Sequence, residues 1–290
     1  MWEFHARRLR QPVPPEYLMD RVVFSQAPPL RLVECRRCGH LYRNPRERPE
    51  SLREAYRDEA LDDGVYRSLL ENQRAFYRER VDFLSRLRGP ILSGLEVGCH
   101  VGAFLTEARD AGMTFTGIDV NERACDFSRG NGVDARTGVI EIQEGEEIHD
   151  AIVIWNTFEQ LPDMHTAVRA ARRLLKRGGL LAVRVPNGSF YSRWRRRLSG
   201  PASAIAERVL IQNNLLGFPY RQGFSRLSMT ALLEGAGFET LVIRGNTLVP
   251  LADEWTSFRG TIEERLTKGV ERLFHRGWKA PWIEVYAFSP

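Results

Sequence analysis

From Gly89-Pro90 onward the chain alternates short apolar runs with amphipathic stretches of helical length: LSGLEVG, FLTEARDAG, FTGIDV, ERACDFSRGNG, DAIVIWN, HTAVRAARRLLKRGG and LLAVRVPN. No other feature constrains the fold as much, because strands separated by helices pair in parallel through crossover connections. LLEGAGFETLVI repeats the helix-to-strand step later, and WIEVYAF reads as a last strand near the C-terminus. The expectation is a doubly wound, Rossmann-like α/β domain over 89–290 with a mainly parallel seven-stranded sheet.

The preceding residues have a different texture. Prolines at 12, 14, 15, 28, 29, 45 and 49, with a Cys35-x-x-Cys38 pair, point to an irregular lobe over 1–50 with short strands at RLVEC and HLYRN. Between 51 and 88 good helix formers predominate, broken around 62–64, which predicts two helices acting as a cover. The segment 188–225 is far longer than the ~2–6 residues that join a strand to a helix. It reads as an inserted lid, placed by the preceding VPN over the carboxyl edge of the sheet, where open α/β sheets bind ligands.

With 290 residues, 43% hydrophobic and 27% charged, the chain is an ordinary globular one, with no run of the ~18–20 apolar residues that span a bilayer. The start, MWEFHARRLRQPVPPEY, lacks the apolar run of a signal peptide, so a cytoplasmic protein with no membrane partner is expected. Four cysteines, Cys35, Cys38, Cys99 and Cys125, are too few for a disulfide framework at this size and are expected as thiols. The net charge of +5 is partly concentrated in the RWRRR stretch at 193–197, which suits a phosphorylated ligand or simply a solvated helix face.

LEVGCHVGAFL, at 95–105, is an apolar strand entering a glycine-bounded turn and then a helix. Gly98 and Gly102 allow a tight turn and a close approach to a ligand. The next strand, FTGIDV, ends in Asp119, twenty-one residues after Gly98. That spacing suits a carboxylate accepting both hydroxyls of a ribose. In a dinucleotide fingerprint the residue two after Gly98 would be glycine, to admit a pyrophosphate; here it is His100, and Glu96 would repel the phosphates if ionised. S-adenosylmethionine, with a ribose, an ammonium group and no phosphate, meets both conditions.

These blocks resemble the class I S-adenosylmethionine-dependent methyltransferase family from about Leu95 to Phe238, and ECRRCGHLYRNPR is similar to the lead-in of a subgroup with a zinc-ribbon-like N-terminus. HDAIVIWNTFEQLPD resembles the family's fourth-strand motif, and LLKRGGLLAVRVPN its following helix end and fifth strand. The resemblance implies that Glu96, Gly98, His100 and Gly102 surround the methionine part of the cofactor. Asp119 would hold the ribose, Val120 would flank the adenine with Gly138 and Val139 near its edge, and Asn156 and Phe158 would line the site. The chain departs from the family pattern at His100, a usual glycine, and at Glu159-Gln160, a usual Glu-His pair.

Methyl transfer from a sulfonium is an in-line displacement that depends on positioning, and a hydroxyl acceptor additionally needs a group to take its proton. His100, Glu159, Gln160 and Tyr220 are the candidate catalytic residues, with His165 and Gln222 as further options. Tyr66 and Arg74 could close over the methionine carboxylate, and Tyr191, Trp194, Asn213, Asn214, Phe218 and Tyr220 of the insertion could select the acceptor. One CxxC knuckle without a second pair predicts no bound metal, since a structural zinc needs four ligands. The expected reaction is methylation of a small molecule, a sugar or secondary metabolite, at a hydroxyl oxygen. Carbon or nitrogen methylation of a nucleotide-linked sugar and a non-catalytic cofactor-binding scaffold are the alternatives. Nucleic acid is not an expected partner, and homodimerisation is left open.

Overall fold

The computed structural model describes residues 2–4, 30–44, 53–54, 56–197, 222–246, 249 and 280–290. Its larger sheet has seven strands in the order β10-β11-β8-β7-β4-β5-β6. They are β4 (Ser93–Val97), β5 (Thr114–Asp119), β6 (Asp134–Thr137), β7 (His149–Trp155), β8 (Leu175–Pro186), β10 (Glu239–Asn246) and β11 (Trp282–Ser289). All neighbouring pairs are parallel except those made by β11, which runs against both β8 and β10. The alternating apolar runs therefore give the sheet that their rhythm predicts.

The central strands β4, β7, β8 and β11 bury both faces over most of their length, and this explains why their runs are continuously apolar, whereas the edge strands β6 and β10 stay partly exposed. On one face Ala151, Val153 and Trp155 of β7 share a core with α1 (Asp63–Arg88), α2 (Ala103–Asp110) and α3 (Glu122–Gly130). On the other, Ile152 and Ile154 pack with α4 (Met164–Leu174) and α6 (Arg226–Glu234). Helix α1 starts where Asp62 caps the N–H of Gly64, after a short helical piece ending near Arg57, so the break around 62–64 is real. Its stripe of Val65, Tyr66, Leu69, Leu70, Tyr77, Val81 and Leu84 builds it into the core of the sheet.

A second, antiparallel sheet joins β1 (Trp2–Phe4), β2 (Leu30–Glu34), β3 (Leu41–Arg43) and β9 (Gln222–Gly223) in that order. The two N-terminal strands expected at RLVEC and HLYRN are present; their pairing with residues 222–223, across the chain, has no sequence signal. Cys35 and Cys38 lie in the turn between β2 and β3, and all four cysteines are free. Among the described residues no cluster of three or more His, Cys, Asp or Glu side chains could hold a metal ion, and no helix is long and apolar enough to cross a membrane. The two sheets touch where Asn187, just past β8, bridges to Phe224. Gly188 sits so close there that a β-carbon would lie 2.5 Å from the carbonyl oxygen of Gly223. Helix α5 (Gly188–Arg197) begins the insertion at once, whereas 198–221, with Asn213, Asn214, Phe218 and Tyr220, lies outside the described residues.

A row of charges crosses the α1 face of the sheet. Register aligns Trp155, Arg184, Glu284 and Arg244 on β7, β8, β11 and β10. Arg80 of α1 donates to Glu284 at 2.7 Å, both side chains being at most 5% exposed, while Tyr286 donates to the same carboxylate at 2.9 Å and Asn246 also donates to it. Arg184 lies over the Trp282 ring at 4.0 Å, and Arg80 over Phe76 at 3.4 Å. Removing one member of a buried, hydrogen-bonded ion pair leaves its partner uncompensated, at about 3–5 kcal/mol. Glu284→Leu and Arg80→Met should each lower unfolding stability in urea by about that much. The double variant should lose clearly less than the sum.

Candidate functional site

The strand order reverses at β4: the chain goes to β5 on one side and returns to β7 on the other. In open α/β sheets the crevice above such a switch point is where ligands bind. Two turns form its walls, 98–102 after β4 and 156–160 after β7. Gly98 has φ +76°, and a β-carbon on it would fall 2.1 Å from the hydroxyl oxygen of Thr157, so only glycine lets the two turns meet.

Asp119, at the end of β5, organises the first turn. One carboxylate oxygen accepts the N–H of His100 at 2.9 Å and the other the N–H of Asn121 at 2.9 Å. Its backbone carbonyl accepts the N–H of Gly138 at 2.8 Å, which brings Gly138 and Val139 beside it from the end of β6. Val120 is half-buried next to it, and Gly102 caps α2 in the left-handed conformation. The ribose-side residues named from the sequence are thus gathered at one edge.

On the β4 and β7 side, buried polar atoms lie without partners. Glu96 is 2% exposed, and its Oε2 makes no hydrogen bond; burial first, and the neighbouring Asp119 second, hold its carboxyl well above the usual range. Asn156 adopts φ +57° and donates through Nδ2 to the Tyr77 hydroxyl at 3.4 Å, leaving its Oδ1 unsatisfied. Trp155 Nε1 and Glu159 Oε2 are likewise buried and unpartnered. Such groups cost free energy in an empty fold, and native proteins keep them where a ligand completes them. Three of them, Glu96 Oε2, Asn156 Oδ1 and Glu159 Oε2, can accept hydrogen bonds, and a cationic donor such as an ammonium group fits the Glu96 and Asn156 pair.

Glu159 is fully buried on the short 3-10 turn Phe158–Gln160, and burial raises its carboxyl to about 7, against opposing contributions from its own backbone N–H, Gln160 and Arg184. Gln160 donates to the Asn156 carbonyl at 2.6 Å and so braces that strained residue. Phe158 points the other way, into the core against Phe224, with centroids 5.7 Å apart. Gln222 donates to the Glu159 carbonyl at 3.4 Å and receives His40 Nε2 at 3.0 Å, linking the small sheet to this turn.

His100 has a left-handed backbone at φ +43°, and its ring meets Tyr66 edge-on at 5.7 Å, with Nε2 3.8 Å from Glu59; burial lowers its pKa. Arg74 is engaged elsewhere, pairing with Glu107 and with Asp110 at 2.7 Å. His165 is exposed at the start of α4, where its N–H is capped by Asp163. Tyr191 is buried in α5, while Arg196 and Arg197 are exposed, Arg196 lying 3.5 Å from Glu34. Sequence reasoning missed Tyr77, Trp155 and Asn121. Tyr77 falls in the apolar stripe of α1 and carries no signal apart from its hydroxyl, whereas Asn121, two residues after the strand end at Asp119, is a recognisable helix cap.

A family model described as a methyltransferase domain matches residues 69–242. Ubiquinone biosynthesis O-methyltransferase from Nitrosospira multiformis is 31% identical over 107 residues, covering 34% of this chain and 44% of that protein. The chain thus spans less than half the length of that curated relative. An S-adenosylmethionine dependent methyltransferase from Mesorhizobium loti superposes with a TM-score of 0.51 at 14% identity, over 76% of this chain and 99% of that one. Phosphoethanolamine N-methyltransferase 2 from Haemonchus contortus, solved with S-adenosyl-L-methionine, gives 0.51 at 13% identity, over 73% and 52%. At these identities the structural likeness concerns the fold.

A carboxyl that titrates at about 7 in the fold and at 4.5 when unfolded keeps a proton that the unfolded chain gives up. Its contribution to stability is complete below pH 4.5 and is lost as the pH rises through about 7. Relative to the parent, Glu159→Gln should therefore gain stability between those pH values, by roughly 3 kcal/mol in all, and level off above. Denaturant melts of both proteins across pH 4–9 measure it.

Proposed function

The chain belongs to the methyltransferase-domain family, in its class I S-adenosylmethionine-dependent form, and from that premise we propose that it methylates a small molecule at a hydroxyl oxygen. The observation that carries the cofactor part is the pair of unsatisfied buried acceptors, Glu96 Oε2 on β4 and Asn156 Oδ1 just past β7, on the two strands at which the chain order reverses. When bound, S-adenosylmethionine supplies a methyl group already activated on a sulfonium sulfur.

In this reading the protein's own residues bind, orient and move one proton. Asp119 keeps lone pairs beyond those used by His100 and Asn121 and takes the ribose hydroxyls, with Val120, Gly138 and Val139 beside the base. The Gly98–Gly102 turn leaves room for the methionine portion, and Glu96 and Asn156 accept from its ammonium group. Glu159, titrating near neutrality, takes the acceptor's proton as its oxygen becomes nucleophilic; a base poised near the working pH is the most effective. Gln160 positions Asn156, and Phe158 supports the turn from the core side.

The hydroxyl acceptor is supported by the Glu159 environment and by likeness to an O-methyltransferase over part of the chain. In this reading the acceptor is a sugar or secondary-metabolite scaffold that enters from the insertion side. The same reading takes residues 188–225 as the lid, 1–50 as a lobe that braces it, and the cytoplasm as the working compartment. No nucleic acid is invoked, since a charge of +5 is modest.

Calorimetric titration with S-adenosylmethionine and S-adenosylhomocysteine tests the premise of the site: micromolar binding is expected, and its absence from the folded protein would overturn the assignment. Asp119→Ala should abolish that binding. In transfer assays with hydroxylated acceptors, kcat should rise with pH through about 7, and Glu159→Gln should lose this rise with most of the rate, falling ~10²–10⁴-fold as for removal of a general base. An unchanged profile in the variant rules Glu159 out as the proton acceptor.

A further inference from the structure

The segment 56–62, just before α1, crosses the end of β5 and is tied down there. Asn121 Nδ2 donates to the carbonyls of Tyr56 at 2.9 Å and Glu59 at 2.7 Å, while its Oδ1 caps α3 by accepting the N–H of Ala124. A single side chain thus fastens this cover to the residue next but one to Asp119.

His100 lies on the inner side of the cover. Its left-handed backbone, φ +43°, favours glycine and is strained for a residue with a β-carbon. Two backbone bonds hold it there: its N–H to Asp119 Oδ2 at 2.9 Å and its carbonyl from Ser128 Oγ at 2.8 Å. Glycine would make both bonds without strain, so neither explains the imidazole. What the ring adds is contact with the cover: the edge-on pairing with Tyr66, which is fully buried with an unpartnered hydroxyl, and the approach of Nε2 to within 3.8 Å of Glu59.

We propose that His100 is a positioning residue that holds the 56–66 cover over Asp119, so that its ring governs how long the nucleoside cofactor stays bound and takes no part in the methyl transfer. The inference rests on the reading that Asp119 binds the ribose of S-adenosylmethionine. A ligand seated on Asp119 is then enclosed by the turn below and the cover above, and it leaves when the ring and the cover separate.

The test is the release rate of S-adenosylhomocysteine from the full chain, followed by stopped-flow competition. His100→Gly and His100→Asn both keep the N–H that reaches Asp119 and both tolerate the left-handed backbone, but neither carries the ring. Each should release the ligand about tenfold faster, or ~1.4 kcal/mol, the scale of an edge-on aromatic pair, with the association rate little changed. Hydrogen exchange in the liganded protein should quicken at amides 56–66 and stay as it was in β4 and β5. Release and exchange equal to the parent's in both variants overturn the proposal while leaving the cofactor assignment standing. A parent chain that binds no S-adenosylhomocysteine overturns that assignment first, so the two failures are told apart. Should the turn variants not fold, Glu59→Ala approaches the same contact from the cover, and parental release in that variant counts against the proposal equally.

Discussion

Both oxygens of Asp119 accept backbone N–H groups, one from the turn after β4 and one from the start of α3. These two bonds fix the position of His100 relative to β5 and set where α3 begins. Charge-assisted bonds of this kind are stronger than neutral ones, and each oxygen keeps a lone pair for a ligand. The same carboxylate is therefore both the fastening of the crevice and a half-buried acceptor within it. The cover is attached one step away, through Asn121, so the fold around the site radiates from a single strand end.

Across the crevice the energetics run in the opposite direction. Glu96, Asn156, Trp155 and Glu159 bring buried polar atoms to the ends of β4 and β7 and leave them unsatisfied. Apolar residues there would make a more stable apo-protein, since each orphaned group carries a desolvation cost of about 1–3 kcal/mol. Unsatisfied buried atoms also occur elsewhere, at His149 and Thr240 for example, but these four lie near the switch point beside a residue at positive φ, and the proposed site accounts for their cost. On the same face the buried Glu284 carboxylate accepts from Arg80, Tyr286 and Asn246.

The small antiparallel sheet reaches the site through a short relay. His40 meets Gln222, Gln222 meets the Glu159 carbonyl, and Ser225 donates to the Cys38 carbonyl. The CxxC turn accordingly stabilises residues 222–228 at the exit of the insertion, where Ser225 also caps α6. The backbone of this turn closes on itself through Cys35–His40 and Gly39–Cys35 bonds.

What the sequence determined by itself was local and periodic. Alternating apolar runs and amphipathic stretches specify the parallel sheet and its helices, because strands buried on both faces must be continuously apolar. The glycine turn and Asp119 were legible as neighbours, since a tight turn and a carboxylate one crossover later sit at neighbouring strand ends for any sequence of this topology. Only the tertiary structure decided the rest. Tyr77 reads as one more core residue of α1 until its hydroxyl is seen bonded to Asn156, and His100 reads as a departure from glycine until its ring is seen against Tyr66 and Glu59. The row from Arg184 to Arg244, the pairing of β3 with β9, and the burial that lifts Glu159 to about 7 join residues tens to hundreds of positions apart. Such contacts arise from packing geometry and desolvation, which leave no period or spacing in the chain to be read.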